Sequence, residues 1–208
     1  NPPTFTRNSV AYLSDGTQVA ANTPRFEQGK FGKAILIEEG TTNLISAVVA
    51  KGESGWSSNN SSYTVRSFVT DKGRSDLKSV KCTQIQDGPS AGIYQSSLIN
   101  ATAGTVYSAS AYIYTQLSNR SWIIWISFCR SDNSLIERYT SSPISLIPGA
   151  WTRLTKTNVT APAETAKMRI VMYEVTTSTT GDEFWIDDFS IEAKPYPTSF
   201  IDGTRAAE

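Results

Sequence analysis

Apolar residues recur at every second position along much of this chain and almost nowhere at helical spacing. The segment VYSASAYIYT (106–115) sets Tyr107, Ala109, Ala111 and Ile113 against Ser108, Ser110, Tyr112 and Tyr114. KMRIVMYEV (167–175) sets Met168, Ile170 and Met172 against Arg169, Val171 and Tyr173. Alternation of this kind marks a strand with one buried face. SVKCTQI (79–85), SWIIWISFC (121–129), WTRLTKTNV (151–159) and EFWIDDFSIE (183–192) are further runs rich in β-branched and aromatic residues. Turn-forming clusters separate them: Asp87-Gly88-Pro89, Ala103-Gly104, Ser131-Asp132-Asn133, Pro148-Gly149 and Thr180-Gly181-Asp182. Short strands at this spacing, with no helices between them, predict an all-β antiparallel β-sandwich, a jelly roll.

The flanks read differently. AYLSDGTQVA (11–20) predicts a hairpin around Asp15-Gly16, and AILIEEG (34–40) a strand. Residues 46–64 are polar around Trp56 and predict a loop. We therefore divide the chain into an N-terminal strand-and-hairpin extension over 1–42, a sandwich over 43–193, and a linker or last strand over 194–208. No signal peptide opens the chain at Asn1, and it reads as a piece of a longer protein.

Composition narrows the function classes. Apolar residues make up 39% of the 208, enough to build a core. Only 18% are charged, below the usual quarter; Ser, Thr and Asn take their place, as is common on extracellular β proteins. The 19 basic and 19 acidic residues cancel, so a nucleic-acid partner has no electrostatic footing. No apolar run approaches the roughly 18 residues of a membrane helix. The chain has no histidine, which removes the commonest general base and rules out Ser-His-Asp and Cys-His chemistry. Cys82 and Cys129 fit no metal spacing; they read as buried free thiols, with a disulfide as the alternative.

An ordered set of landmarks carries a family resemblance: NLI (43–45), GW (55–56), SVKCTQ (79–84), GIYQ (92–95), AGTVYSASAYIY (103–114), the charged turn CRSDNSLI (129–136), WTRLTKTNVTAP (151–162) and FWIDDFSIE (184–192). Over about 150 residues this block resembles the carbohydrate-binding modules of families four, nine, sixteen and twenty-two. The flanks 15–45 and 197–208 resemble the edges of such modules in phage tail proteins and in large surface or secreted proteins of Gram-positive bacteria.

Sugar binding needs flat apolar faces for the C–H side of the ring and a few fixed polar groups for the hydroxyls. Period-2 parity turns Tyr112 outward, and places Arg169 and Tyr173 on one outward face. Trp125 joins an outward face if Ile124, Ile126 and Phe128 are core. The resemblance adds Gln95 as a hydrogen-bonding partner of the ligand. The predicted ligand-binding set is thus Gln95, Tyr112, Trp125, Arg169 and Tyr173. Trp56, Trp151 and Trp185 read as packing residues.

Asp187-Asp188 is a carboxylate pair inside a strand-like apolar run, where alternation lets at most one point inward. The resemblance implies a structural calcium held by Asp187 with backbone oxygens, and Asn43 and Ser79 complete the expected metal set. The family's usual Phe-Glu before the Gly-Trp is absent, since AKGESGW (50–56) stands there. Adjacent carboxylates cannot straddle a glycosidic bond, so no catalytic residues are expected. The predicted function is a non-catalytic module that binds a neutral polysaccharide for an extracellular or cell-surface protein with covalently linked neighbouring domains, such as a glycoside hydrolase. The alternative is a structural or host-receptor domain of a phage tail; a calcium-dependent adhesion domain is a third class.

Overall fold

The structure is a computed structural model that describes residues 7, 10–29, 32–88 and 91–205. Pro89 of one predicted turn and the last residues, 206–208, lie outside that set. The extension begins with the predicted hairpin: β1 (Ala11–Tyr12) and β2 (Gln18–Val19) pair around Asp15, whose carboxylate accepts the Thr17 N–H. A second hairpin joins β3 (Phe26–Gly29) to β4 (Gly32–Ile35), and β5 (Thr41–Thr42) follows. The strand predicted over 34–40 ends at Ile35. Beyond it Glu38 turns to accept hydrogen bonds from Arg25 at 2.7 Å and Ser199 at 2.5 Å, and it pairs with Arg205 at 3.0 Å.

The stretch predicted as a loop holds two elements: a one-turn helix α1 (Ala47–Ala50) and an edge strand β6 (Trp56–Ser58). The sandwich continues through β7 (Thr64–Val69), β8 (Ser79–Gln84), β9 (Gly92–Gln95), β10 (Ile99–Asn100), β11 (Val106–Tyr114), β12 (Ser121–Cys129), β13 (Leu135–Thr140), β14 (Ile144–Ser145), β15 (Thr152–Thr160), β16 (Lys167–Glu174) and β17 (Glu183–Glu192). The tail folds back as β18 (Thr204–Arg205), paired with β5. One sheet runs β13-β12-β16-β9-β6, with β10 and β14 attached to β16 and β12; the other runs β15-β11-β17-β8-β7. Every described pairing is antiparallel. The fold is an all-β jelly-roll sandwich, as the alternation predicts.

The core lies between the two sheets, and parity decides its members. Tyr107, Ala109, Ala111 and Ile113 of β11 face Trp122, Ile124, Ile126 and Phe128 of β12 across it, with Met168, Ile170 and Met172 of β16. Trp56 is the edge plug: its indole stacks on Phe189 at 3.8 Å and its Nε1 donates to the Val49 carbonyl at 2.9 Å. Cys82 and Cys129 sit in different sheets and are free thiols, and burial pushes the Cys82 thiol up to about 12. The outer face of the β11 sheet is covered by the extension and tail, where Phe200 packs on Tyr12 at 5.3 Å. Two adjoining clefts open on the outer face of the β12–β16 sheet.

Candidate functional site

Register across that second sheet builds a site in rows. Val171 on β16 is flanked by Trp125 on β12 and Tyr94 on β9, and Tyr94 in turn pairs with Ser57 on β6. In the next row Ser127 is flanked by Arg169 on β16 and Arg138 on β13. Neighbouring strands lie about 4.8 Å apart, so each row is wide enough to underlie a sugar ring. The Arg169 guanidinium lies 5.0 Å from the centre of the Tyr94 ring, Arg138 lies 5.9 Å from that of Trp125, and Tyr173 is 6.1 Å from Trp125. Tyr94, Trp125, Ser127, Arg138, Arg169 and Asn59 line one cleft of about 170 Å³. Open cavities of about 460 and 420 Å³ adjoin it; Tyr94 is shared with the first and Arg169 with the second. The buried Trp125 Nε1 and Arg169 Nε both lack a hydrogen-bond acceptor.

Of the five predicted ligand-binding residues, the structure brings three together: Trp125, Arg169 and Tyr173. Ile124, Ile126 and Phe128 are indeed core, which settles the parity of β12. Tyr112 belongs elsewhere. It points outward from β11, but on the opposite sheet, and it is only 8% exposed because Arg74 and Arg153 cover its ring at 3.6 and 5.6 Å. Gln95 has the parity of Ile93 and stands directly opposite the core residue Trp56, so it faces the inner side with its buried Oε1 unpartnered. The outward residue of GIYQ is Tyr94. Parity with Ile93 could have found it; Arg138, on an edge strand without a buried face, carried no such signal.

The carboxylate pair departs from simple alternation. Both Asp187 and Asp188 are fully buried. One extra residue of β17 falls between the pairs Ser110↔Ser190 and Tyr112↔Asp187, and Asp188 takes φ +53° in that bulge. Both side chains therefore gather under the 70–78 loop. Asp187 accepts the backbone N–H of Arg74 at 2.7 Å and that of Asp188 at 2.6 Å. Asp188 accepts the Arg74 guanidinium and the Ser75 hydroxyl. Arg74 also donates to the carbonyls of Leu13 and Ser14, tying the N-terminal hairpin down. Burial, then the neighbouring Asp188 charge, holds the Asp187 carboxyl well above the usual range.

The three residues expected to bind calcium are engaged otherwise. Both Asp187 oxygens accept N–H groups. The Asn43 Oδ1 accepts from Ile45 and Ile191 while its Nδ2 donates to the Phe189 and Ile201 carbonyls. The Ser79 hydroxyl donates to the Lys72 carbonyl. Among the described residues no group of three or more Asp, Glu, Cys or His is placed to hold a metal ion. The residues present do not fit calcium, and the positive charge beside the carboxylates comes from Arg74. EDTA is accordingly expected to leave the melting temperature unchanged. A fall of several degrees, reversed by calcium, would show that a site exists.

Buried carboxyls also give stability a pH dependence. Burial raises the Glu174 carboxyl, and the Ser178 and Thr176 hydroxyls and Arg120 only partly oppose it. A carboxyl whose folded pKa lies above its unfolded value binds more protons when folded. Its effect is nil below the unfolded pKa, and stability falls as pH rises towards the folded value. Asp187 and Asp188 act in the same direction. Since the chain has no histidine to obscure that window, thermal melts should show stability declining as pH rises above the ordinary carboxyl range of about 4. Glu174→Gln should flatten part of the slope, and a slope of opposite sign would refute the assignment.

No family model matches the chain, and no curated protein matches it. Solved structures share its fold. The C-terminal family 22 carbohydrate-binding module of Clostridium thermocellum Xyn10B superposes with a TM-score of 0.53 at 12% identity, covering 76% of this chain and 94% of that one. The CBM22-1–GH10 modules of the Clostridium thermocellum endo-1,4-β-D-xylanase 10B, complexed with xylohexaose, give 0.55 at 14% identity over 79% of this chain and 30% of that one. The enzymatically active domain of tailspike protein 4 of bacteriophage CBA120 gives 0.52 at 11% identity, over 72% of this chain and 21% of that one. The chain has the β-sandwich fold of these carbohydrate-binding modules.

Proposed function

We propose that the chain is a non-catalytic carbohydrate-binding module that holds a polysaccharide on the outer face of the β13-β12-β16-β9-β6 sheet. The observation that carries this reading is the row of Tyr94, Val171 and Trp125 beside the row of Arg169, Ser127 and Arg138, open to solvent through three adjoining cavities. Aromatic rings supply apolar faces, and the guanidiniums supply fixed donors with acceptors still to find. The likeness of the fold to family 22 carbohydrate-binding modules supports the reading. Hydrolysis of a glycosidic bond needs carboxylates on either side of it, and none lines the described cleft. The backbone of the ligand is read as neutral, because zero net charge gives the whole chain no long-range pull on polyanions.

Such a module would serve an extracellular or surface protein by raising the local concentration of its neighbouring domains on the polysaccharide. A second reading, a structural or receptor-binding domain of a phage tail, draws on the tailspike fold and the flanking sequences. Affinity electrophoresis through gels containing xylan, β-glucan or mannan separates the two. The module is retarded by at least one of them, and the tail reading takes its place if none retards it.

A further inference from the structure

Local charge tells a different story from net charge. The three adjoining cavities are lined by Arg66, Arg138, Arg169 and Lys167, and no carboxylate lines any of them. The chain's 19 acidic residues cancel the total charge, and none of the described ones lines these cavities. Several other arginines are neutralised, Arg74 by Asp188, Arg120 by Glu174 and Asp182, and Arg130 by Glu164, while Arg153 is spent on the Ser110 hydroxyl and the Thr198 carbonyl on the opposite sheet. Among the described residues Arg138 and Arg169 have no carboxylate partner; each lies against an aromatic ring, and they line the same small cleft. Two like charges held together on a low-dielectric aromatic floor repel each other, and an anion between them relieves that cost.

On the reading that this face binds a polysaccharide, we propose that the cleft selects a uronic-acid residue. Its ring rests on Trp125 and its carboxylate lies between Arg138 and Arg169. A planar guanidinium matches a carboxylate with two parallel hydrogen bonds, which a neutral hydroxymethyl group cannot reproduce. Ser127 stands between the two arginines in register, leaving room for the group. Lys167, donating to Asn133 at 2.7 Å, extends the positive strip into the adjoining cavity.

The test uses glucuronoxylans of high and of low glucuronate content, each beside its carboxyl-reduced form, with binding measured by titration calorimetry. The wild type is expected to bind at least one acidic form about tenfold or more tightly than its reduced counterpart. That preference should shrink as sodium chloride rises from about 0.05 to about 0.5 M. Arg138→Gln and Arg169→Gln, with folding checked by thermal melts, should each remove most of it. The comparison with reduced glycans and the salt series need no variant, so an unfolded variant does not decide the matter. Equal binding of acidic and reduced forms would overturn the uronate proposal and leave the polysaccharide reading standing. A preference for acidic forms that survives both substitutions would also overturn it, by placing the anion elsewhere. Retardation by no polysaccharide at all would remove the reading and the proposal together.

Discussion

Replacing Arg74 by methionine is expected to cost about 3–5 kcal/mol, the range for breaking a buried ion pair by removing one partner. Methionine keeps much of the stem volume, so the loss is one of charge and hydrogen bonds rather than of packing. Both charged side chains are essentially inaccessible, at 1% for Arg74 and 0% for Asp188. Without the guanidinium, Asp188 keeps only the Ser75 hydroxyl, beside the equally buried carboxyl of Asp187. The carbonyls of Leu13 and Ser14 lose the Arg74 donor at the same time, which loosens the tie between the N-terminal turn and the 70–78 loop. That turn sits directly on Arg74: a Cβ added at Gly16, where φ is +90°, would come within 2.3 Å of the Arg74 carbonyl oxygen. Urea unfolding checks the magnitude. Adding Asp188→Asn to Arg74→Met should recover part of the loss, because it removes the stranded charge. If the double variant is as unstable as the sum of the two single ones, the pair is not coupled and the account fails.

The sandwich was legible in the sequence because burial on one face imposes a period of two that survives without any partner in view. Tyr107 to Ile113 and Met168 to Met172 fall where alternation puts them, whereas β12 is apolar on both faces and only the packing decides that Trp122 to Phe128 turn inward. The same rule says which side a residue takes, and nothing about what covers that side. Tyr112 points outward as predicted, but the 70–78 loop lays Arg74 over its ring, and Arg74 in turn holds the N-terminal hairpin, a contact some 60 residues apart in sequence that alternation does not register. Asp187 and Asp188 escaped the rule because a bulge has no periodic signal; Asp is one of the few residues that takes the left-handed conformation at low cost. Arg138 lies on an edge strand with both faces largely exposed, where alternation has no core to read against.

Trp125→Ala is expected to weaken polysaccharide binding by about 1–3 kcal/mol, the scale for withdrawing such a ring from a buried contact, or roughly tenfold or more. The ring lies at the centre of its row, between Val171 and Thr140 in register, with Tyr173 on one side and Arg138 over it. Its loss takes away the floor on which a sugar ring would rest and the aromatic face that holds the Arg138 guanidinium. Trp125→Phe keeps a smaller ring and should lose less. Stability should change little in either variant, since the core-facing neighbours Ile124 and Ile126 are untouched. Tyr112→Ala supplies the contrast. Its ring is wedged between Arg74 and Arg153 under the extension, so that change should lower stability and leave binding alone. Calorimetric titration of the three variants, with urea unfolding of each, separates the two faces. Binding lost in Tyr112→Ala but kept in Trp125→Ala would move the site to the β11 sheet. Binding kept in both would put it on the loops at the ends of the sandwich, away from the arginines as well as the rings.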